Sequence, residues 1–238
     1  IGIANPIFSY KNLITGEKIS ELETPMENHT VAVELILKTL QDEKIGVIAS
    51  TDEIDAIGHR IVHGGEYYEK SVLVDDEVIK NLEEIAPLAP LHNPAHIMGI
   101  KVIQKLLPGK KNVVVFDTAF HQTMPEESYM FPVPYEWYTD YKIRRYGAHG
   151  TSHQYVNRRT AELMGKDVNT LNMITCHLGN GASITAIKNG KVLNTSMGLT
   201  PLGGIMMGTR CGDIDPTVVY YMMKTLGCTH DDMDTYLN

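Results

Sequence analysis

Cysteine is scarce in this chain, and the three that occur show no CxxC spacing: Cys176, Cys211 and Cys228. Such an odd, scattered set predicts the reduced thiols of a cytoplasmic protein and argues against a disulfide framework. No apolar run approaches the roughly 20 residues that a membrane-spanning helix requires. Cationic residues are also in the minority, since the formal net charge is −8. Nucleic-acid-binding surfaces are normally basic, so we expect neither a membrane nor a nucleic acid as partner.

Two well-known catalytic motifs are absent as well. The sequence has no GxxxxGK[ST], which argues against a Walker-type phosphate loop, and no HExxH zinc signature. Histidines do recur at i,i+4 spacing, which on a helix can bind zinc; the pairs are His59/His63, His92/His96 and His149/His153. We expect at least half of them to be core or supporting histidines, and a zinc hydrolase remains an alternative.

The length of 238 residues fits one large domain or two small ones, and we predict a boundary near residue 120. The chain begins with Ile1 instead of methionine and stops at Asn238, just inside an acidic segment that resembles a helix start. Both ends are therefore expected to be cuts through a longer chain.

Hydrophobic periodicity predicts a mixture of helices and strands on both sides of that boundary. Expected helices cover residues 30–41, 76–85, 94–107, 152–164 and 216–226, with Asn93, Thr151 or Ser152, and Asp215 as N-caps. Expected strands cover residues 54–62, 113–116, 173–176, 183–187 and 192–195, the last two joined by a tight Asn189-Gly190 turn. This alternation predicts an α/β fold.

Two charged residues at predicted strands are candidate site residues. Arg60 lies in an apolar strand that ends at Gly64-Gly65, where a guanidinium is costly unless it is paired or faces a cleft. Asp117 follows an apolar strand, at the end where ligands gather in open α/β sheets, and could hold Mg²⁺ or orient a reacting group. An exposed arginine on an edge strand and an aspartate that caps a turn are the alternatives.

Three later segments combine glycine turns, small hydroxyls, imidazoles and an arginine; they cover residues 149–153, 177–183 and 208–213. Glycine lets backbone amides approach an anion, and imidazole and guanidinium groups neutralise charge on phosphoryl oxygens. The segment from His177 to Ser183 is predicted to be strand–turn–strand, and Arg210 lies in a loop between glycines. Together they favour phosphoryl transfer to a small acid.

Several long segments, in order, resemble the acetate kinase family, which belongs to the acyl-phosphate-forming kinases of the actin and sugar-kinase superfamily. They are GHRIVHGGE (58–66), PLHNP (90–94), FDTAFHQTMP (116–125), IRRYGAHGTSH (143–153), CHLGNGAS (176–183) and TSMGLTPLGGIMMGTRCGDIDP (195–216). The resemblance implies an α/β, actin/sugar-kinase-like (ribonuclease H-like) two-domain fold that is incomplete in this chain. Residues 1–119 would form the N-terminal domain without its first strand, and residues 120–238 the first part of the nucleotide-binding domain.

The family reaction converts ATP and acetate into ADP and acetyl phosphate with Mg²⁺ (or Mn²⁺). By resemblance, Asp117, Arg60, Arg210 and His149 would be catalytic, with both arginines on the carboxylate and the transferring phosphoryl group. The acetate site would comprise Arg60, Val62, Leu91, His92 and Pro201, and the nucleotide phosphates would contact His177, Leu178, Gly179, Asn180 and Gly181. The resemblance assigns no metal ligand confidently to this chain and implies a cytoplasmic homodimer.

Other functions stay open at this stage. One is a propionate or other short-chain acyl kinase, and another is a kinase that takes pyrophosphate as donor. A third is a non-catalytic fragment that binds phosphate or nucleotide, although the co-occurrence of Arg60, Asp117, His149 and Arg210 argues against it.

Overall fold

A computed structural model describes residues 5–90 and 92–238. Leu91, one of the predicted acetate-site residues, lies outside the described residues. The chain divides into two compact units, one of residues 1–59, 73–83 and 91–114 and the other of residues 60–72, 84–90 and 115–238. No helix within the described ranges is long and apolar enough to cross a membrane.

Strands and helices are mixed along the chain, as in an α/β fold. The strands are β1 (Ile7–Lys11), β2 (Lys18–Glu23), β3 (Ala56–Ile61), β4 (Val72–Leu73), β5 (Lys111–Phe116), β6 (Asn172–Leu178), β7 (Ala182–Lys188) and β8 (Lys191–Thr195). The helices are α1 (His29–Leu40), α2 (Asp76–Glu84), α3 (Asn93–Leu106), α4 (Glu126–Tyr129), α5 (Tyr135–Tyr141), α6 (Gly150–Leu163), α7 (Pro216–Leu226) and α8 (His230–Leu237). The strand orders of the three sheets are β1-β2, β3-β5-β4 and β6-β7-β8.

In the first unit, an antiparallel β1–β2 hairpin precedes α1, and α1 packs against α3. The segment that follows α1 is tied to β1, because the Tyr10 hydroxyl donates to the Ile45 carbonyl oxygen over 2.9 Å. Asn12 is buried and its amide donates to the same carbonyl over 3.1 Å. The sequence analysis missed β1 and β2, whose exposed faces carry no clear alternation of apolar residues.

The second unit contains an antiparallel meander of β6, β7 and β8. Its apolar core joins a 3₁₀ segment after β5 to this sheet, through Phe120, Met124, Ile187 and Val192. Helix α6 packs on β6 and on the same 3₁₀ segment. This packing places the end of β5, the start of α6 and the β6–β7 turn side by side.

All the predicted helices and strands form, with ends shifted by at most two residues. Asp215 caps α7 through its side chain, Gly227 ends it with a left-handed φ of 65°, and Asn189-Gly190 makes the β7–β8 turn with φ values of 51° and 76°. The helix predicted from Asn93 is wrong by one residue at its start. His92 is the N-cap and Asn93 is fully buried in the first turn, a difference within ordinary fraying of helix ends.

The predicted cap of α6 is wrong. Helix α6 begins at Gly150, earlier than a Thr151 or Ser152 cap would allow, and its N-cap His149 makes no side-chain capping bond. The amide of Gly150 instead donates to the backbone carbonyl of Asp117 over 2.8 Å. A neighbouring strand end thus satisfies an amide of the first turn that a capping hydroxyl would otherwise bind.

Candidate active site

Arg60 and Asp117 form an ion pair in the second unit. Arg60 Nη2 lies 2.5 Å from Asp117 Oδ2, and Nε lies 3.2 Å from both carboxylate oxygens. The Asp117 side chain is 2% exposed and that of Arg60 is 64% exposed. The hydrogen bond to Asp117 raises the pKa of Arg60. The carboxylate therefore fixes a guanidinium whose remaining donors face outward.

Asp117 serves two elements at once. Its side chain holds Arg60 and contacts the Thr151 hydroxyl at 3.5 Å, whereas its backbone carbonyl accepts from the amide of Gly150. Its own amide donates to the Ile61 carbonyl over 2.9 Å, which joins the end of β5 to β3. The sequence left Asp117 open as a Mg²⁺ ligand, a group that orients a reactant, or a cap; in the structure its side chain pairs with Arg60 and its backbone carbonyl accepts from the first turn of α6.

His149 sits between these groups and the β6–β7 turn, with a left-handed φ of 60°. This conformation is uncommon for residues other than glycine, although histidine adopts it more often than most, and it turns the imidazole toward β7. Nδ1 of His149 lies 2.8 Å from the Ser183 hydroxyl oxygen. The ring stacks on His177, with centroids 4.0 Å apart and planes 20° apart.

His177 is held from its other side. Its Nδ1 lies 2.9 Å from the Ser152 hydroxyl oxygen in the first turn of α6. The two residues whose hydroxyls were predicted to cap α6 therefore serve the site instead, Thr151 toward Asp117 and Ser152 toward His177.

Gly181 has no side chain, which lets two donors approach its backbone; the place where they converge is called here the gap at Gly181. A Cβ built on Gly181 would lie 2.8 Å from Nη2 of Arg210 and 3.4 Å from Nε2 of His149. Arg210 is oriented by its Nη1, which donates to the Pro201 carbonyl oxygen over 2.8 Å. The Gly208 amide donates to the Asn180 carbonyl over 3.2 Å, which holds the two glycine loops together. A guanidinium and an imidazole edge thus converge beside Gly181, and donors of these two kinds bind anionic oxygens.

Burial keeps His149 and His153 neutral. The pKa of His149 is lowered to about 4, chiefly by desolvation; nearby His177, Arg60 and Arg210 contribute to the lowering, and Asp117 opposes it. Desolvation likewise lowers the pKa of His153 to about 3. At neutral pH, His149 therefore acts as a neutral hydrogen-bonding group and the arginines carry the positive charge.

The predicted residues fall into three groups. Arg60, Asp117, His149, His177, Asn180, Gly181, Pro201 and Arg210 are joined by the contacts above. Leu178 is the exposed last residue of β6, Gly179 follows it in the β6–β7 turn, and Val62 is buried one residue beyond β3. His92 is exposed at the start of α3 in the first unit.

Sequence reasoning placed Gly150, Ser152, His153 and Ser183 in the candidate segments 149–153 and 177–183, but it assigned none of them a role in the site. It missed Thr175 altogether. Thr175 and Ser183 are buried polar residues in strands. No group of three His, Cys, Asp or Glu side chains that could hold a metal occurs among residues 5–90 and 92–238.

Known proteins resemble this chain closely. A family model described as the acetokinase family matches residues 2–238. Acetate kinase of Thermotoga maritima is 56% identical over 94% of the chain and 55% of its own length, and that of Thermosipho melanesiensis is 56% identical over 100% and 58%. The chain thus spans a little over half the length of the curated relatives it matches.

Solved structures agree. Acetate kinase of Porphyromonas gingivalis superposes with a TM-score of 0.93 at 50% identity, covering all of this chain and 59% of that one. A propionate kinase from Francisella tularensis gives 0.85 at 44% identity, covering 93% and 56%. The fold is therefore that of the kinases in the actin and sugar-kinase class, and the predicted α/β fold is confirmed. The chain belongs to the acetokinase family.

Proposed function

We propose that the intact protein containing this chain is an acetate kinase, which transfers the γ-phosphoryl group of ATP reversibly to acetate. The observation that carries the proposal is the gap at Gly181, where Arg210 Nη2 and His149 Nε2 meet. Phosphoryl transfer spreads negative charge over equatorial oxygens, so donors that converge on one small space supply the stabilisation it needs. The names of the relatives support acetate as acceptor and ATP as donor.

In this proposal Arg60, Arg210, His149 and Asp117 are the catalytic residues. Acetate is already ionised at neutral pH and needs no general base, so the two guanidiniums orient it and neutralise charge. The neutral His149 donates a hydrogen bond to the transferring phosphoryl group. Asp117 fixes Arg60 and offers a carboxylate near the reacting groups.

Nucleotide phosphates would bind at the β6–β7 turn, on His177, Leu178, Gly179, Asn180 and Gly181. The acetate methyl group would occupy an apolar pocket that includes Val62, Leu91 and Pro201, with His92 beside it. These assignments rest on the family resemblance, and the division into an N-terminal domain (1–119) and part of a nucleotide-binding domain (120–238) is proposed on the same ground.

Mg²⁺ or Mn²⁺ would enter chiefly with the nucleotide. Mg²⁺ in nucleotide enzymes keeps several waters and binds through phosphates and one or two carboxylates, which fits a site whose only buried carboxylate in the described ranges is Asp117. The metal would neutralise phosphate charge. A homodimer and a cytoplasmic location complete the proposal.

The decisive experiment traps acyl phosphate with hydroxylamine, using the intact protein, ATP, Mg²⁺ and acetate, with propionate in parallel. A strong hydroxamate signal with acetate is the expected result. A larger kcat/KM on propionate would favour the second candidate, a propionate kinase. The similarity to the Francisella enzyme supports this candidate. Folded protein that gives no signal with either acid would refute both, and pyrophosphate would then be tried as donor.

A further inference from the structure

Four side chains form a continuous hydrogen-bonded chain that leads from the interior of the second unit to the active site. The hydroxyl oxygen of Thr175 lies 2.8 Å from Nδ1 of His153, and Nε2 of His153 lies 2.8 Å from the hydroxyl oxygen of Ser183. The same oxygen lies 2.8 Å from Nδ1 of His149. Thr175, His153 and Ser183 are at most 4% exposed. The links from Thr175 to His153 and from His153 to Ser183 are thus shielded from water.

The direction of these hydrogen bonds follows from counting hydrogens. A neutral imidazole has one N–H and one acceptor nitrogen, and a hydroxyl has one hydrogen. If Thr175 donates to His153, then His153 donates to Ser183 and Ser183 donates to His149. Each of the three hydrogen bonds then has one donor and one acceptor, and neither hydroxyl is left with an unpaired hydrogen.

The opposite direction leaves a buried donor without an acceptor. His149 would donate to Ser183, Ser183 to His153, and His153 to Thr175. Thr175 would then accept, and its own hydrogen would have no acceptor, since within the described part of the chain its hydroxyl contacts only His153. An unsatisfied buried donor is unfavourable, so the first direction prevails.

We propose that Thr175, His153 and Ser183 are positioning residues that fix the tautomer of His149, so that its Nε2 carries the proton and donates into the gap at Gly181. The inference rests on the proposed function, because the transferring phosphoryl group is the acceptor for this N–H. It explains how a histidine that carries no net charge can stabilise a negatively charged transition state.

Two further observations agree with this assignment. Burial lowers the pKa values of His149 and His153 to about 4 and about 3, so both rings are neutral when the count of hydrogens is made. His177 stacks on the face of His149 and leaves its edge free to point at the gap. Stacking on His177 thus fixes the position of the His149 ring, and the hydrogen bonds that begin at Thr175 fix its tautomer.

The test begins at Thr175, which is three hydrogen bonds away from His149. Thr175→Val removes the hydroxyl and keeps the shape, whereas Thr175→Ser keeps the hydroxyl. In the intact protein we expect Thr175→Val to lower kcat about tenfold, less than the roughly 100- to 1,000-fold loss from deleting a positioned donor outright. KM for acetate and ATP should stay nearly constant, and Thr175→Ser should restore kcat.

A matched control is available on the same sheet. Thr185 is fully buried, and its hydroxyl bonds to that of Thr195 at 2.8 Å, outside the chain to His149. Thr185→Val removes a comparable buried hydroxyl and should leave kcat unchanged. Equal losses of kcat in Thr175→Val and Thr185→Val would mean a merely structural role and would overturn the proposal.

Nitrogen-15 NMR of labelled histidine reads the tautomer directly and needs no activity. His149, assigned from the His149→Gln spectrum, should show a protonated Nε2 in the intact protein and a mixture of tautomers in Thr175→Val. A protonated Nδ1 in the unsubstituted protein would refute the inference even if acetyl phosphate forms. A protein that makes no acetyl phosphate but shows the expected tautomer would refute only the proposed function.

Discussion

The amide of Gly150 donates to the carbonyl oxygen of Asp117, and this bond fastens the start of α6 to the end of β5. A Cβ on Gly150 would collide with that carbonyl and lie 3.3 Å from Cβ of Phe120. Glycine is therefore required by close approach of two backbones, although its φ is not left-handed. Because His149 precedes Gly150, the same contact sets where its imidazole lies.

Substitution of Gly150 should accordingly be costly. Gly150→Ala is expected to lower the free energy of unfolding by about 1–3 kcal/mol, the usual range for overpacking. Gly99→Ala is the matched control, because Gly99 lies inside α3 with nothing near its Cβ position. Alanine favours helix, so this variant should be up to about 1 kcal/mol more stable. Urea denaturation of both variants checks the prediction, and equal stabilities would contradict it.

The Arg60–Asp117 pair allows stability to be separated from activity. Arg60→Met leaves the buried Asp117 carboxylate without its cation and should destabilise the fold by about 1–3 kcal/mol. Adding Asp117→Asn removes the unpaired charge, so the double variant should regain stability without regaining acetyl phosphate formation. Thermal unfolding and the hydroxylamine assay report the two properties. Recovery of activity in the double variant would argue against a catalytic role for the pair.

The gap at Gly181 predicts a loss of activity without a loss of fold. In Gly181→Ala the new methyl group would occupy the space between Arg210 and His149, and displacement of a reacting group by about 1 Å can cost roughly 100-fold in rate. We expect a fall of that order in kcat/KM, with the urea midpoint little changed. Gly198→Ala is the control, because its Cβ would make only an ordinary 3.5 Å contact with Phe131. Similar kinetics in the two variants would contradict the prediction.

Buried histidines predict a specific pH dependence of stability. Burial lowers the pKa of His121 from 6.5 to about 4, so the unfolded state takes up its proton first as the pH falls. The stability is complete above about pH 6.5 and declines toward pH 4, by up to about 1.4 kcal/mol per pH unit for each such group. His121→Gln can keep the donor to the Ala148 carbonyl oxygen, which Nε2 contacts at 3.0 Å, and does not titrate.

Urea denaturation between pH 7 and pH 4 should therefore give a shallower decline for His121→Gln than for the unsubstituted chain. The comparison cancels the contributions of other titrating groups, since they are common to both proteins. Parallel curves would mean that His121 titrates normally in the folded state.

The sequence by itself determined the local structure of this protein. The repeats of apolar residues in α3 and β5, the Asn189-Gly190 turn and the cap at Asp215 are encoded by neighbours in the chain, so these elements could be predicted, whereas β1 and β2, which lack such a pattern, could not. The glycine, imidazole and arginine segments also indicated phosphate chemistry. These signals work because period and turn chemistry depend on residues only a few positions apart.

Only the tertiary structure decided how those residues meet. Ser183 joins His149 to His153 across a separation of 30 or more residues, and no periodicity encodes such a contact. The amide of Gly150 at the start of α6 donates to the backbone carbonyl of Asp117, which is distant in sequence, and the hydroxyls of Thr151 and Ser152 contact site residues instead of capping the helix. Hydrogen bonds of this kind arise when packing buries polar groups together and each must find a partner, and that requirement acts only in the folded chain.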